Sequence, residues 1–152
     1  MQSGEGRAYA RSSGPHRRQK QAGEGKVPNN AMRVLVDTSV WIDHLHRSDP
    51  NLVALLKSTQ VVMHPAVLGE LACGMIPNRQ ELLSLWFALP CVVEVSSAEA
   101  LALLEDRRLS GRGLGWTDVH LLGSALVSQA RLWTRDHPLR HAASQLRISL
   151  VT

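Results

Sequence analysis

The sequence predicts an α/β domain: a mostly parallel sheet with helices on both faces. Three observations predict it. Short β-branched runs alternate with amphipathic stretches of helical period through residues 32–152, the pattern of a parallel sheet covered on both sides. Proline or a capping residue punctuates most of the boundaries. The chain is 152 residues long, enough for one domain with a real core but not for two large ones.

The elements follow in order. Arg33-Val-Leu-Val-Asp37 reads as a buried strand. Thr38 or Ser39 then caps a helix through Val40, Trp41, Ile42 and Leu45. Asp49-Pro50 opens a second helix with proline at its first position and Leu52, Val53, Leu55 and Leu56 inward. Val61 to His64 is a second strand, and Pro65 opens a helix to about Met75. Asn78 and Glu81 have capping-box spacing for a helix bearing Leu82, Leu83, Leu85, Trp86 and Leu89. Val92 to Val95 is a third strand. Ser96 and Glu99 form a clearer capping box for the helix bearing Leu101, Leu103, Leu104 and Leu109. A loop with Gly111, Gly113 and Gly115 follows. Thr117 is the expected cap of a helix running to Ala130. Arg131 to Thr134 is a fourth strand, Pro138 opens a short helix, and Arg147 to Val151 is a last strand.

Charge divides the chain in two. Residues 1–31 carry Arg7, Arg11, Arg17, Arg18, Lys20 and Lys26 against Glu5 and Glu24, which accounts for the whole net charge of +4. The body is formally neutral, so the basic balance says little about its partner. Gly, Ser, Arg and Gln dominate the first 31 residues without apolar periodicity, which predicts disorder. They have no apolar segment of the secretory kind. They read either as sequence upstream of a start at Met32 or as a basic arm for nucleic acid. No apolar stretch reaches the roughly 18–20 residues that span a bilayer. Cys73 and Cys91 match no zinc or redox spacing and are expected as two buried free thiols of a cytosolic protein.

Four acids stand where elements start or stop: Asp37, Glu70, Asp118 and Asp136. In a parallel sheet ligands bind beyond the carboxyl ends of strands. Asp37 and Asp136 lie there, and Glu70 and Asp118 sit on helices that could lean over the same edge. Glu70 lies in a helix apolar nearly all round, where an unpaired carboxylate would be costly. Asp118 and Asp136 also have ordinary accounts, as a charge at a helix N-terminus and as a turn residue. Two carboxylates about 4 Å apart repel by about 4 kcal/mol at an effective dielectric near 20. Such a cluster raises a pKa or binds a cation, and oxygen ligands suit Mg²⁺ or Mn²⁺. A carboxylate-held Mg²⁺ is a device for phosphodiester hydrolysis. His64, His120 and His137 lie near the acids in sequence but read better as surface or satisfied polar residues than as ligands. Arg107, Arg108 and Arg112 could engage phosphates or be a solvated helix end. Trp116 could stack a base or fill a core.

Val-Leu-Val-Asp37-Thr-Ser-Val-Trp-Ile, Glu70-Leu, Gly-Trp-Thr-Asp118-Val-His-Leu-Leu-Gly-Ser-Ala-Leu and Leu-Trp-Thr134-Arg-Asp136, in that order, resemble the PIN-domain ribonucleases, specifically VapC-type toxins. The resemblance covers about residues 32–152. It implies a three-layer α/β/α domain and a Mg²⁺-dependent cytoplasmic endoribonuclease whose acidic tetrad is Asp37, Glu70, Asp118 and Asp136. Asp37 and Asp118 carry over first as metal ligands, and Thr38, Ser39 and Thr134 as supporting residues. It implies structured RNA such as tRNA or ribosomal RNA as substrate, a cognate antitoxin whose C-terminal segment blocks the site, and a homodimer. Pro138 stands where many relatives carry a further acid. Two other readings compete. A haloacid-dehalogenase-type phosphatase would need an acid at Ser39, and a non-catalytic RNA- or protein-binding domain would not need the tetrad.

Overall fold

A computed structural model describes residues 31–151, so the expected disorder of the N-terminal segment falls, Ala31 apart, outside the described residues. Ten elements alternate along the chain: β1 (Arg33–Val36), α1 (Thr38–His46), α2 (Pro50–Lys57), β2 (Val61–Val62), α3 (Pro65–Cys73), α4 (Arg79–Phe87), α5 (Ser97–Asp106), α6 (Trp116–Val127), β3 (Ala130–Trp133) and α7 (His137–Gln145). The sheet is parallel, in the order β2-β1-β3. Val34, Leu35 and Val36 are all fully buried. Three consecutive buried residues require cover on both faces of the strand, because neighbouring side chains point to opposite sides.

Two expected strands are reduced to single bridges. Met63 pairs with Cys91 on one flank and Leu132 with Ser149 on the other. Beyond Cys91 the ladder is replaced by side chains of α6 and its C-cap: Ser128 accepts the Val93 amide and Ser124 the Val95 amide. These hydroxyls satisfy backbone donors that a strand partner would otherwise take.

Capping also departs from expectation. The capping box Ser96–Glu99 forms, and Asp49 caps α2. Asn78 instead takes a left-handed conformation with φ 47° and makes no side-chain cap. Thr117 lies inside α6, whose cap is Gly115; the Gly115 amide donates to Asp118 Oδ2 at 2.8 Å. Neither Thr38 nor Ser39 caps α1, because Asp37 holds that position. α3 ends at Cys73, α5 at Asp106 and α6 at Val127, each short of the predicted limit. Both cysteines are free, as expected, but exposed rather than buried: Cys73 ends α3, and Cys91 sits on the outer bridge of the sheet.

Candidate active site at the carboxyl edge of the sheet

The site is built where β1 and β3 end side by side. The Asp37 amide donates to the Trp133 carbonyl at 2.9 Å, which locks the start of α1 to the end of β3. Asp37 is only 7% exposed. Its Oδ2 accepts two hydroxyls, Ser39 at 2.7 Å and Thr134 at 2.8 Å. Those hydroxyls in turn accept backbone amides, Ser39 from Arg135 and Thr134 from Asp136, each at 3.0 Å. A hydroxyl that accepts from one side and donates to the other fixes the carboxylate in one orientation.

The other acids are held with the same economy. Thr38 donates to Glu70 Oε2 at 2.6 Å, joining α1 to α3. Asp118 folds back onto the Gly115 amide. Asp136 caps α7 by accepting the Leu139 amide at 3.0 Å. In each of the four, one carboxylate oxygen is tied to the scaffold, and the other has no hydrogen bond among the described residues. The free oxygens come from the ends of β1 and β3 and from α3 and α6.

Burial pushes the Asp118 carboxyl above its ordinary value. The Gly115 amide opposes that, and the negative charges of Asp136, Asp37 and Glu70 add to it. All three other acids are thus near enough to repel Asp118. Among the described residues no three acids or histidines form a preformed ion cage. Asp37 is buried and held in place, whereas Glu70 and Asp136 are exposed. An all-oxygen donor set with one unused oxygen per carboxylate fits a hard divalent cation such as Mg²⁺ or Mn²⁺.

Glu70 is corrected in one respect. Its helix buries only Val67 and Leu71, because α3 packs against α1 and α4 on one side. Glu70 stands on the exposed rim. His64, at the start of α3, is 2% exposed and reads as a satisfied core histidine. Arg107, the C-cap of α5, and Arg108 just beyond it lie on the surface. Arg112 donates to Gln145 of α7 at 2.5 Å. Trp116 is half-exposed, so it is no core residue. Arg135 carries a positioning role that the sequence reading missed. Its guanidinium pairs with Asp43 at 2.7 Å and Asp49 at 2.8 Å, clamping the Thr134–Asp136 turn onto α1 and the start of α2. Only a distance of 86 residues closed by the fold reveals that pairing with Asp49.

Residues 34–145 match the PIN domain, and the chain belongs to the PIN-domain family. Its relatives include ribonuclease VapC32 of Mycobacterium tuberculosis, strains CDC 1551 / Oshkosh and ATCC 25618 / H37Rv. Each is 48% identical over 118 residues, covering 77% of this chain and 95% of the relative. Within the family the chain therefore groups with the VapC proteins. The crystal structure of PAE2754 from Pyrobaculum aerophilum is also similar, with a TM-score of 0.49 and 16% identity over 77% of this chain and 89% of that one.

Proposed function

We propose that this chain is a Mg²⁺-dependent endoribonuclease and the toxin of a toxin–antitoxin pair. One observation carries the reading: β1 and β3 end side by side with Asp37 and Asp136 at their carboxyl ends, Thr38 ties Glu70 of α3 to that same edge, and Asp118 lies within reach of all three charges. Asp37 and Asp118 would be the primary ligands, with Glu70 and Asp136 completing the set. When bound, the cation supplies charge neutralisation at the phosphoryl oxygens and acidifies a water. The protein's own part is positioning. Thr134 and Ser39 hold Asp37, Thr38 holds Glu70, and the Gly115 amide holds Asp118.

Structured RNA of the tRNA or ribosomal class is the proposed substrate, and the cytoplasm the proposed location. No helix among the described residues is long and apolar enough to cross a membrane. An apolar groove of about 350 Å³ lined by Ile42, Leu45, Leu71, Met75 and Ile76 opens beside Glu70. It is the proposed seat of the antitoxin segment, which would reach the acids from there. A homodimer is the proposed assembly.

The deciding substitution is Asp37→Asn. It is expected to abolish Mg²⁺-dependent RNA cleavage while leaving metal-free stability unchanged or raised, since it relieves repulsion. Full cleavage activity in this variant, with its stability clearly lowered, would sink the metal-site reading of Asp37; a wild type that cleaves no RNA with Mg²⁺ present would leave a non-catalytic binding domain.

A further inference from the structure

The chain has four tryptophans. Trp41, Trp86 and Trp133 are 2–3% exposed, whereas Trp116 is 47% exposed. A half-exposed indole wastes apolar burial that its three counterparts achieve. It also stands at a chosen place, the first residue of α6, two residues before Asp118. His120, one turn along, meets it edge to face with ring centroids 4.7 Å apart and planes at 83°. That contact holds the indole upright and occupies at most one of its faces. The loop that leads into α6 bends at Gly111 and Gly113, which take positive φ values of 72° and 78°.

We propose that Trp116, braced by His120, is a stacking platform for one unpaired nucleobase of the RNA. The proposal rests on the nuclease reading of the acid site and names how that site holds its substrate. Charge supports it. The folded body has as many acids as bases, and its active edge is acidic, so phosphate attraction alone gives little affinity there. Base–aromatic stacking is indifferent to that charge and available to every base. Residues two apart on a helix point to different flanks. A base on Trp116 therefore belongs to a nucleotide beside the scissile phosphate, not at it. The platform selects for RNA whose bases are splayed out, as in loops, over continuous duplex.

The test uses octaadenylate RNA as probe, with Ca²⁺ in place of Mg²⁺. Trp116 is the one tryptophan a base can reach, so its fluorescence reports the contact directly. Octaadenylate is expected to quench the emission, and a blunt RNA duplex of equal length to quench it far less. Trp116→Ala should weaken octaadenylate binding by roughly tenfold or more, and Trp116→Phe should restore most of it. The Ala variant is expected to keep the wild-type melting temperature. Equal binding by wild type and Trp116→Ala overturns the proposal, as does a wild type that binds no octaadenylate. So does an indole already shielded from acrylamide in the free protein, which would mean that a second copy covers it. The nuclease reading stands or falls separately, on cleavage by wild type against Asp37→Asn.

Discussion

His64 and Ser124 are bonded to each other across the protein interior, with Nε2 3.2 Å from Oγ. The bond ties the start of α3, which carries Glu70, to the middle of α6, which carries Asp118. His64 Nδ1 accepts the Ala66 amide at 3.0 Å and so caps α3. Accepting at Nδ1 requires a neutral ring with its proton on Nε2, and that proton then points at Ser124.

A pH dependence follows. Burial pushes the His64 pKa below 6.5, the negative Glu94 opposes that, and His120 adds to it. A base whose folded-state pKa is depressed takes up its proton more readily when unfolded. Stability is therefore expected to be full above about pH 6.5 and to fall as the pH drops below it. In His64→Asn the amide oxygen keeps the cap but cannot reach Ser124. That variant should lose about 1–2 kcal/mol at pH 7.5 and show a flatter decline. Denaturant titrations at several pH values between 5 and 8 test this; parallel declines for the two proteins would refute it.

Asp118 has the opposite sign. Its folded-state pKa is raised, so its contribution to stability is present below the unfolded value of about 3.8 and lost as pH rises through the folded one. In EDTA at pH 7, Asp118→Asn is expected to melt higher than wild type, the difference vanishing near pH 3. Mg²⁺ should raise the melting temperature of wild type and leave the variant nearly unmoved. Thermal melts with and without metal decide it, and equal Mg²⁺ shifts in the two would count against Asp118 as a ligand.

Thr134 orients Asp37 through a 2.8 Å hydroxyl bond while accepting the Asp136 amide. Thr134→Val removes the hydroxyl at nearly constant shape and leaves that amide without an acceptor. It is expected to cost about 1–3 kcal/mol and to lower kcat by roughly tenfold or more with little change in KM. Thr134→Ser should recover the rate. Steady-state cleavage kinetics on the three proteins would expose a purely structural role, in which Ser and Val behave alike.

Arg135 makes exposed ion pairs with Asp43 and Asp49. Pairs at a surface are worth little, so Arg135→Gln should cost less than about 1 kcal/mol. Activity should fall by more than stability, because the turn carrying Thr134 and Asp136 loses its clamp. Raising salt should reproduce part of this loss in wild type. An unchanged cleavage rate for the variant would remove Arg135 from the site.

Much of the scaffold was legible in advance. Local pattern is a short-range property, and it located β1, β3 and every helix because periodicity and capping act within a few residues. The Ser96–Glu99 box formed for the same reason. The flanking strands did not form, since whether Val93 pairs with a strand or with Ser128 depends on α6, 35 residues away. Glu70 looked buried from its apolar neighbours, yet burial is set by what packs against a helix, and α3 is covered on one side only.

The sequence by itself determined the alternation of strand and helix, the family, and the four acids, because these depend on residue type and order. Tertiary structure decided what those acids are to one another. It buried Asp37 and left Glu70 and Asp136 at the rim. It gave each carboxylate one anchored oxygen and one free one, and it turned Trp116 outward. Each of these depends on distances between residues far apart in the chain, and only the packed sheet and helices set such distances.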